Sequence, residues 1–108
     1  MTNLLFVCSR NRFRSPTAEA IFAGRPGIET DSGGLAPDAE VQLSSEQVQW
    51  ADIILVMERS HLSRLKSRFG RHLNGKRVVS LDIPDNYAYM APKLIERLER
   101  AMRPYLPR

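Results

Sequence analysis

The chain carries one cysteine, one tryptophan and two histidines in 108 residues, and only 7% of it is aromatic. A single cysteine excludes a framework of internal disulfides and suits a reducing compartment. The two histidines, His61 and His72, stand eleven positions apart with no further ligand-type partners beside them. A metal site is therefore not expected, and both histidines are expected on a solvated helix or loop surface. No apolar stretch approaches the length of a membrane span, and no charged-then-apolar leader precedes Leu4. Neither a membrane contact nor export is expected, and the expected location is cytoplasmic. Repeats and low-complexity tracts are lacking too. With 43% hydrophobic residues, the expectation is one domain over 1–108 with a core sufficient to fold unaided.

Charge is present in both signs. Sixteen Lys and Arg against twelve acidic residues give +4, with Arg59, Arg64, Lys66, Arg68, Arg71, Lys76 and Arg77 clustered in one third of the chain. Such a run either meets nucleic-acid phosphates or forms the solvated face of a helix and its exit. No aromatic residue interleaves it except Phe69, which belongs to a helical apolar stripe, so the solvated face is preferred and a nucleic-acid partner is not expected.

Apolar runs alternate with helical patterns. Strands are expected at about 3–7, 28–31, 52–57 and around Val78-Val79. Helices are expected at about 16–23, 44–50, 60–69 and 92–103. Leu62, Leu65 and Phe69 form the apolar side of the third helix; Leu94, Ile95, Leu98, Ala101 and Met102 form that of the last. Ile53-Ile54-Leu55-Val56 is apolar throughout, as in a strand covered on both faces. Strands alternating with helices imply a parallel α/β sheet.

The most informative segment is Val7-Cys8-Ser9-Arg10-Asn11-Arg12-Phe13-Arg14-Ser15-Pro16-Thr17. Leu4-Leu5-Phe6-Val7 reads as a buried strand, and Ser15-Pro16 reads as an N-cap followed by the first helical residue. The residues between them lie where backbone N–H groups converge and a helix dipole favours negative charge. A cysteine there is favoured as the thiolate, its nucleophilic form. Arg14 offers a planar fork for two phosphate oxygens, which Lys does not reproduce. Ser15 can hydrogen-bond the sulfur. Asn11 tolerates left-handed backbone, and its amide can pin the loop from inside. Taken alone, a cysteine and a nearby arginine would read as core filler and a chance neighbour. The preceding strand, the following helix start and the polar run Ser9, Arg10, Asn11, Arg12 favour an oxyanion loop instead. Arg10 and Arg12 would also raise the local concentration of anionic substrates.

Leu5-Phe6-Val7-Cys8, Asn11 and Arg14-Ser15-Pro16-Thr17-Ala18-Glu19 resemble the signature of the low-molecular-weight protein tyrosine phosphatases. Ile28-Glu29-Thr30-Asp31-Ser32-Gly33-Gly34 resembles that family's second strand and the turn after it, and Ala51-Asp52-Ile53-Ile54-Leu55-Val56-Met57-Glu58 its third strand. The resemblance implies a flavodoxin-like three-layer sandwich, with a four-stranded parallel sheet and helices on both faces. It implies phosphomonoester hydrolysis through a phosphocysteine intermediate, with no metal and no cofactor. Cys8 would be the nucleophile and Arg14 the clamp. Ser9, Arg10, Asn11, Arg12, Phe13, Arg14 and Ser15 would bind phosphate, and inorganic phosphate or sulfate would be a loop ligand. Phosphorylated proteins or small phosphomonoesters would be substrates.

Three departures accompany it. Arg10 stands where the family usually has Gly, making the loop mouth bulkier and more positive. Phe13 stands where many members have a second cysteine, so Cys8 lacks a neighbour that would trap its oxidised form as a disulfide. The chain is short for the family, which implies a reduced substrate rim.

The family's general acid is an aspartate followed by proline in a late loop. Leu81-Asp82-Ile83-Pro84-Asp85-Asn86-Tyr87-Ala88-Tyr89 is the corresponding region here. Asp85 is the first choice, with Asn86 in place of proline, and Asp82 is the alternative; both otherwise read as turn residues. Tyr87 and Tyr89 are candidates for an aromatic wall beside the substrate, and equally for half-buried packing.

Other readings stay open at this point. A thiol-relay arsenate reductase needs further cysteines that the chain lacks. A phosphocysteine carrier would not need Arg14-Ser15 or an acid. A phosphate-loop module that only binds a phosphorylated partner or nucleic acid would not need a reactive thiol. Phosphotyrosine, phosphoarginine and small phosphomonoesters all remain as substrates.

Overall fold

A computed structural model describes residues 1–107. Its elements run β1 (Thr2–Cys8), α1 (Arg14–Phe22), β2 (Ile28–Gly34), α2 (Ser45–Trp50), β3 (Ile53–Val56), α3 (Arg59–Phe69), β4 (Arg77–Ser80) and α4 (Pro92–Met102), with 3-10 turns after α3 and α4. The four strands form one parallel sheet in the order β2-β1-β3-β4. This is the flavodoxin-like order.

Successive residues of a strand face opposite sides of a sheet, so β1, apolar at every position from Leu4 to Cys8, feeds two cores. Leu4, Phe6 and Cys8 pack with Ala18 and Phe22 of α1 and Leu94, Leu98 and Met102 of α4. Leu5 and Val7 pack with Val48 of α2 and Leu65 and Phe69 of α3. Helices thus cover both faces, as the sequence led us to expect. Burying each such side chain contributes about 1.5–3 kcal/mol relative to leaving it exposed.

The order places a topological switch beside β1. Its neighbour β2 is reached through α1 on one face, while β3 is reached through α2 on the other. In open α/β sheets the crevice forms at the carboxyl ends of such strands. Cys8 is the last residue of β1, and Glu58 follows the end of β3 by two positions.

Local signals explain most boundaries. Ser44 caps α2, accepting from Gln47 N while Gln47 Oε1 accepts from Ser44 N, a reciprocal capping box. Lys76 Nζ donates to the carbonyls of Gln49 and Ala51 at the end of that helix, where a cation suits the dipole. One boundary differs from expectation. Helix α1 begins at Arg14, with Phe13 in the cap position and no side-chain cap; Ser15 is inside the first turn, not the cap. Pro16 is therefore the third helical residue, where its missing N–H is still one that no helical carbonyl would accept.

Candidate active site

The loop joining β1 to α1 is held from three sides. Its carbonyls at Cys8, Ser9 and Arg10 accept from the N–H groups of Leu35, Ala36 and Glu40, at 3.0, 2.7 and 3.0 Å. Turning those carbonyls toward the segment after β2 leaves loop N–H groups for the interior. Asn11 N–H points at Cys8 Sγ, 3.2 Å away. Gly34 makes this approach possible: a Cβ there would lie 2.5 Å from Ser9 O and 3.0 Å from Asn11 N, closer than atoms pack.

Asn11 adopts the left-handed backbone expected of it, with φ +56°. Its buried side-chain amide donates to Ser15 Oγ and to Ser32 Oγ, both at 2.9 Å. Two hydroxyls meet that amide. Ser15 Oγ accepts from Asn11 and lies 2.8 Å from Cys8 Sγ, so with Cys8 as thiolate its hydrogen goes to sulfur. Ser32 Oγ also accepts from Asn11 and donates to the Glu19 carboxylate of α1. Glu19 orders Ser32, Ser32 and Ser15 orient the Asn11 amide, and Ser15 presents a donor to sulfur. The Ser15 hydroxyl and the Asn11 backbone N–H thus both lie within hydrogen-bond reach of the sulfur.

Arg14 is 2% exposed. Nη1 donates to Glu58 Oε2 and to the Ile83 carbonyl, each at 2.7 Å. With Nη1 so occupied, the Nε–Nη2 edge is the one left for a bidentate ligand. Asp85 Oδ1 lies 3.6 Å from Nε. The Ile83 carbonyl is itself set by Ile83 N–H donating to Met57 O at 2.8 Å, so the segment between β3 and α3 positions Arg14 from behind through both Glu58 and Ile83.

His61 is the main correction to the sequence reading. Expected on a solvated surface, it is 1% exposed. Its Nδ1 accepts from Glu58 N–H, and its Nε2 contacts Ser9 Oγ, both at 3.1 Å. Because Nδ1 accepts, the ring proton sits on Nε2 and is donated to Ser9. Burial, and next the Arg14 guanidinium, push the His61 pKa below its usual 6.5, against the opposing pull of Glu58. The 3.9 Å approach of His61 Nε2 to Glu58 Oε2 is thus a contact of a neutral ring, not an ion pair. The signal was legible in the spacing. His61, Leu65 and Phe69 are the buried residues of α3, an i, i+4, i+8 stripe, whereas Leu62 is only half-buried.

Cys8, Ser9, Arg10, Arg12, Phe13, Arg14, Ala36, Arg64 and Asp85 line a cleft of about 520 Å³. The candidate nucleophile, clamp and first-choice acid therefore share one cavity. Asp82 does not; it faces Arg59 at 3.6 Å and Ser80 Oγ at 2.9 Å, in a separate depression with Pro84 and Arg97. Arg10 and Arg12 pair with Asp38 and Glu40, at 3.8 and 3.3 Å. Tyr87 is half-buried against the α1–α4 core and does not line the cleft. Tyr89, 52% exposed, faces a neighbouring groove with Phe13, Pro16 and Glu40. Of the basic run, Arg68 donates to Leu35 O and Arg77 stacks on Tyr105. Among the described residues, no cluster of three or more His, Cys, Asp or Glu has the arrangement of a metal site, and no helix is long and apolar enough to cross a membrane.

The sequence reading gave no role to Glu58, His61, Ser32, Glu19 or Gly34, all of which the structure brings to the loop.

No family model matches the chain. A protein-arginine-phosphatase of Geobacillus stearothermophilus is 29% identical over 90 residues, and the match spans 61% of this chain and 61% of that protein. A solved low molecular weight protein tyrosine phosphatase of Streptococcus pyogenes superposes with a TM-score of 0.77 at 14% identity, covering 100% of this chain and 95% of that one. An arginine phosphatase variant with a phosphorylated active-site serine superposes with a TM-score of 0.71 at 24% identity, over 93% and 88% of the two chains. The chain has the fold of the low-molecular-weight protein tyrosine phosphatases, and it resembles them in the order and spacing of Cys8, Asn11, Arg14 and Ser15.

Proposed function

We propose that the chain is a cysteine-dependent phosphomonoesterase of the low-molecular-weight tyrosine phosphatase type, working as one domain over 1–108. The observation that carries this reading is the convergence on Cys8 Sγ of the Ser15 hydroxyl and the Asn11 amide, with Arg14 in the same cleft.

In this mechanism Cys8 thiolate attacks phosphorus in line with the departing oxygen. The phosphorus–oxygen ester bond breaks as the sulfur–phosphorus bond forms. Loop N–H groups and the free edge of Arg14 hold the equatorial oxygens, whose charge is spread in the transition state. Asp85 gives its proton to the leaving oxygen. Water then attacks the phosphocysteine and gives a proton to the same carboxylate; inorganic phosphate leaves and the thiolate is restored. Ser15 supports both halves, since its hydrogen bond stabilises sulfur as nucleophile and as leaving group. Arg14 and the amides supply the charge stabilisation that a metal supplies elsewhere, so the scheme is metal-independent.

Asp85 is the acid in this reading and Asp82 is not, because only Asp85 lines the cleft and approaches Arg14. The substrate is a phosphorylated protein side chain. Phosphotyrosine is the first candidate, on the fold resemblance. Phosphoarginine is the second, because a relative is named for it. A cytoplasmic location fits the single reactive thiol.

The test is hydrolysis of an activated aryl phosphate at mildly acidic pH by wild type and Cys8→Ser. Wild-type turnover should fall by roughly 10⁴-fold or more in the variant, since removing the nucleophile leaves only binding and electrostatics. No turnover by the wild type would overturn the reading and favour a phosphocysteine carrier or a phosphate-binding module.

A further inference from the structure

The cleft is lined by four cations and one acid: Arg10, Arg12, Arg14 and Arg64 against Asp85. Three of the cations are accounted for. Arg14 is committed to the phosphoryl group and to Glu58, while Arg10 and Arg12 pair with Asp38 and Glu40. Arg64 is different. It reaches the cleft from α3 rather than from the phosphate loop. It is exposed, and no carboxylate lies within ion-pair distance of it among the described residues. Its field nonetheless reaches the site, since it helps hold His61 in the neutral form.

Size points the same way. A cleft of about 520 Å³ has the capacity of an ordinary small-ligand pocket, more than a bare phosphoryl group requires. Phe13, 44% exposed, supplies an apolar wall in the same cleft. An occupant that uses the whole lining has a phosphoryl group on the loop, an apolar body against Phe13 and a second negative group at Arg64.

Resting on the phosphatase reading, we propose that Arg64 is a specificity residue that binds a carboxylate of the substrate polypeptide, so that the enzyme selects phosphorylated residues with an acidic neighbour. Placement on a helix suits the role, because the guanidinium is carried on a rigid support and its fork accepts a carboxylate bidentately. The interaction forms at a solvated rim, so it discriminates by a modest factor and weakens with salt.

The test compares matched phosphotyrosine peptides carrying Glu or Gln beside the phosphoresidue, on wild type, Arg64→Ala, Arg64→Lys and Arg64→Glu. Each enzyme is read as the ratio of kcat/KM for the Glu peptide to that for the Gln peptide, at low and at high salt. Wild type should show a ratio of about five at low salt, shrinking at high salt. Arg64→Lys should keep part of it, Arg64→Ala should bring it near one, and Arg64→Glu should invert it. A wild-type ratio near one, or an unchanged ratio in Arg64→Ala, would overturn the proposal; the latter would assign the preference to Arg10 or Arg12. The same ratio measured as peptide affinity for Cys8→Ser keeps the outcome independent of turnover. A failure of the phosphatase reading itself would appear separately, as no hydrolysis of a simple aryl phosphate by the wild type.

Discussion

The loop after β1 and the loop before α4 both reach Arg14, but they are built in contrasting ways. In the first, Asn11, Arg14 and Ser15 are 4%, 2% and 0% exposed, and internal hydrogen bonds orient the Asn11 amide, the Ser15 hydroxyl and Nη1 of Arg14. In the second, Asp82, Pro84, Asp85 and Asn86 are all exposed, and Asp85 is held by a single 3.6 Å approach to Arg14. Between them, Ile83 is fully buried and roots the late loop on β3. The difference matches two tasks. Stabilising charge in a transition state requires dipoles that are already oriented, because reorganisation during the reaction is costly. Delivering a proton requires a carboxyl that can approach the leaving oxygen and exchange with water.

The sharpest way to break that contrast is to exchange the two aspartates. Asp85→Asn should lower kcat on a phosphotyrosine peptide by about 10²–10³-fold, the usual worth of a positioned general acid. It should have far less effect on the pre-steady-state burst from an aryl phosphate whose leaving group needs no proton, because only the second step then uses the carboxylate. Asp82→Asn should change either rate little, since its partners Arg59 and Ser80 lie outside the cleft. Steady-state kinetics on the peptide and burst kinetics on the aryl phosphate check this, and the opposite pattern would move the acid to Asp82.

A second prediction concerns rigidity. Asn11→Ala leaves Ser15 and Ser32 without the amide that orients them and places Ala at φ +56°. Unfolding free energy should fall by about 2–4 kcal/mol, combining a lost buried network with left-handed strain. Asn86→Ala, in the exposed loop, should stay within about 0.5 kcal/mol. Denaturant midpoints of the two variants measure the contrast.

The smallest effect is one of pH. The pKa of His61 in the folded chain is lowered from 6.5 by burial, then by Arg14. As pH falls below 6.5, the unfolded chain takes up a proton that the folded chain still refuses, so this group destabilises the fold progressively in acid. Above that pH its effect vanishes. Thermal melts of wild type and His61→Gln between mildly alkaline and mildly acidic pH should therefore show a shallower acid loss in the variant. Equal slopes would indicate that the ring is not held neutral.

These contrasts also show which parts of the molecule could be read from the chain. The parallel sheet was legible because Leu4-Leu5-Phe6-Val7 and Ile53-Ile54-Leu55-Val56 are apolar at consecutive positions, which only a sheet covered on both faces uses. Cys8, Asn11 and Arg14 were legible because their spacing lies within one loop, where sequence distance and spatial distance coincide. The burial of His61 was legible in the α3 spacing, but the meeting of Glu58, His61 and Ser32 with that loop was not, because they come from β2 and from the start of α3, which only the fold makes neighbours. Ser15 was misread as a cap for a related reason. A hydroxyl before proline fits the cap position locally, but the helix starts at Arg14 and Ser15, two positions past the cap, faces Cys8 Sγ instead. Arg64 is exposed on α3, as the solvated basic face led us to expect, and only the fold shows that it also lines the cleft.

The most direct measurement is to trap the intermediate. Wild type and Asp85→Asn would be mixed with an activated aryl phosphate, whose leaving group needs no acid, quenched in acid within the first turnovers, and digested for mass mapping. The expected result is one added phosphoryl group on the peptide containing Cys8, absent in Cys8→Ser and accumulating where deacylation-like hydrolysis of the phosphocysteine is slowed. Active turnover with no phosphoryl group on Cys8, or with the group on another residue, would contradict the mechanism.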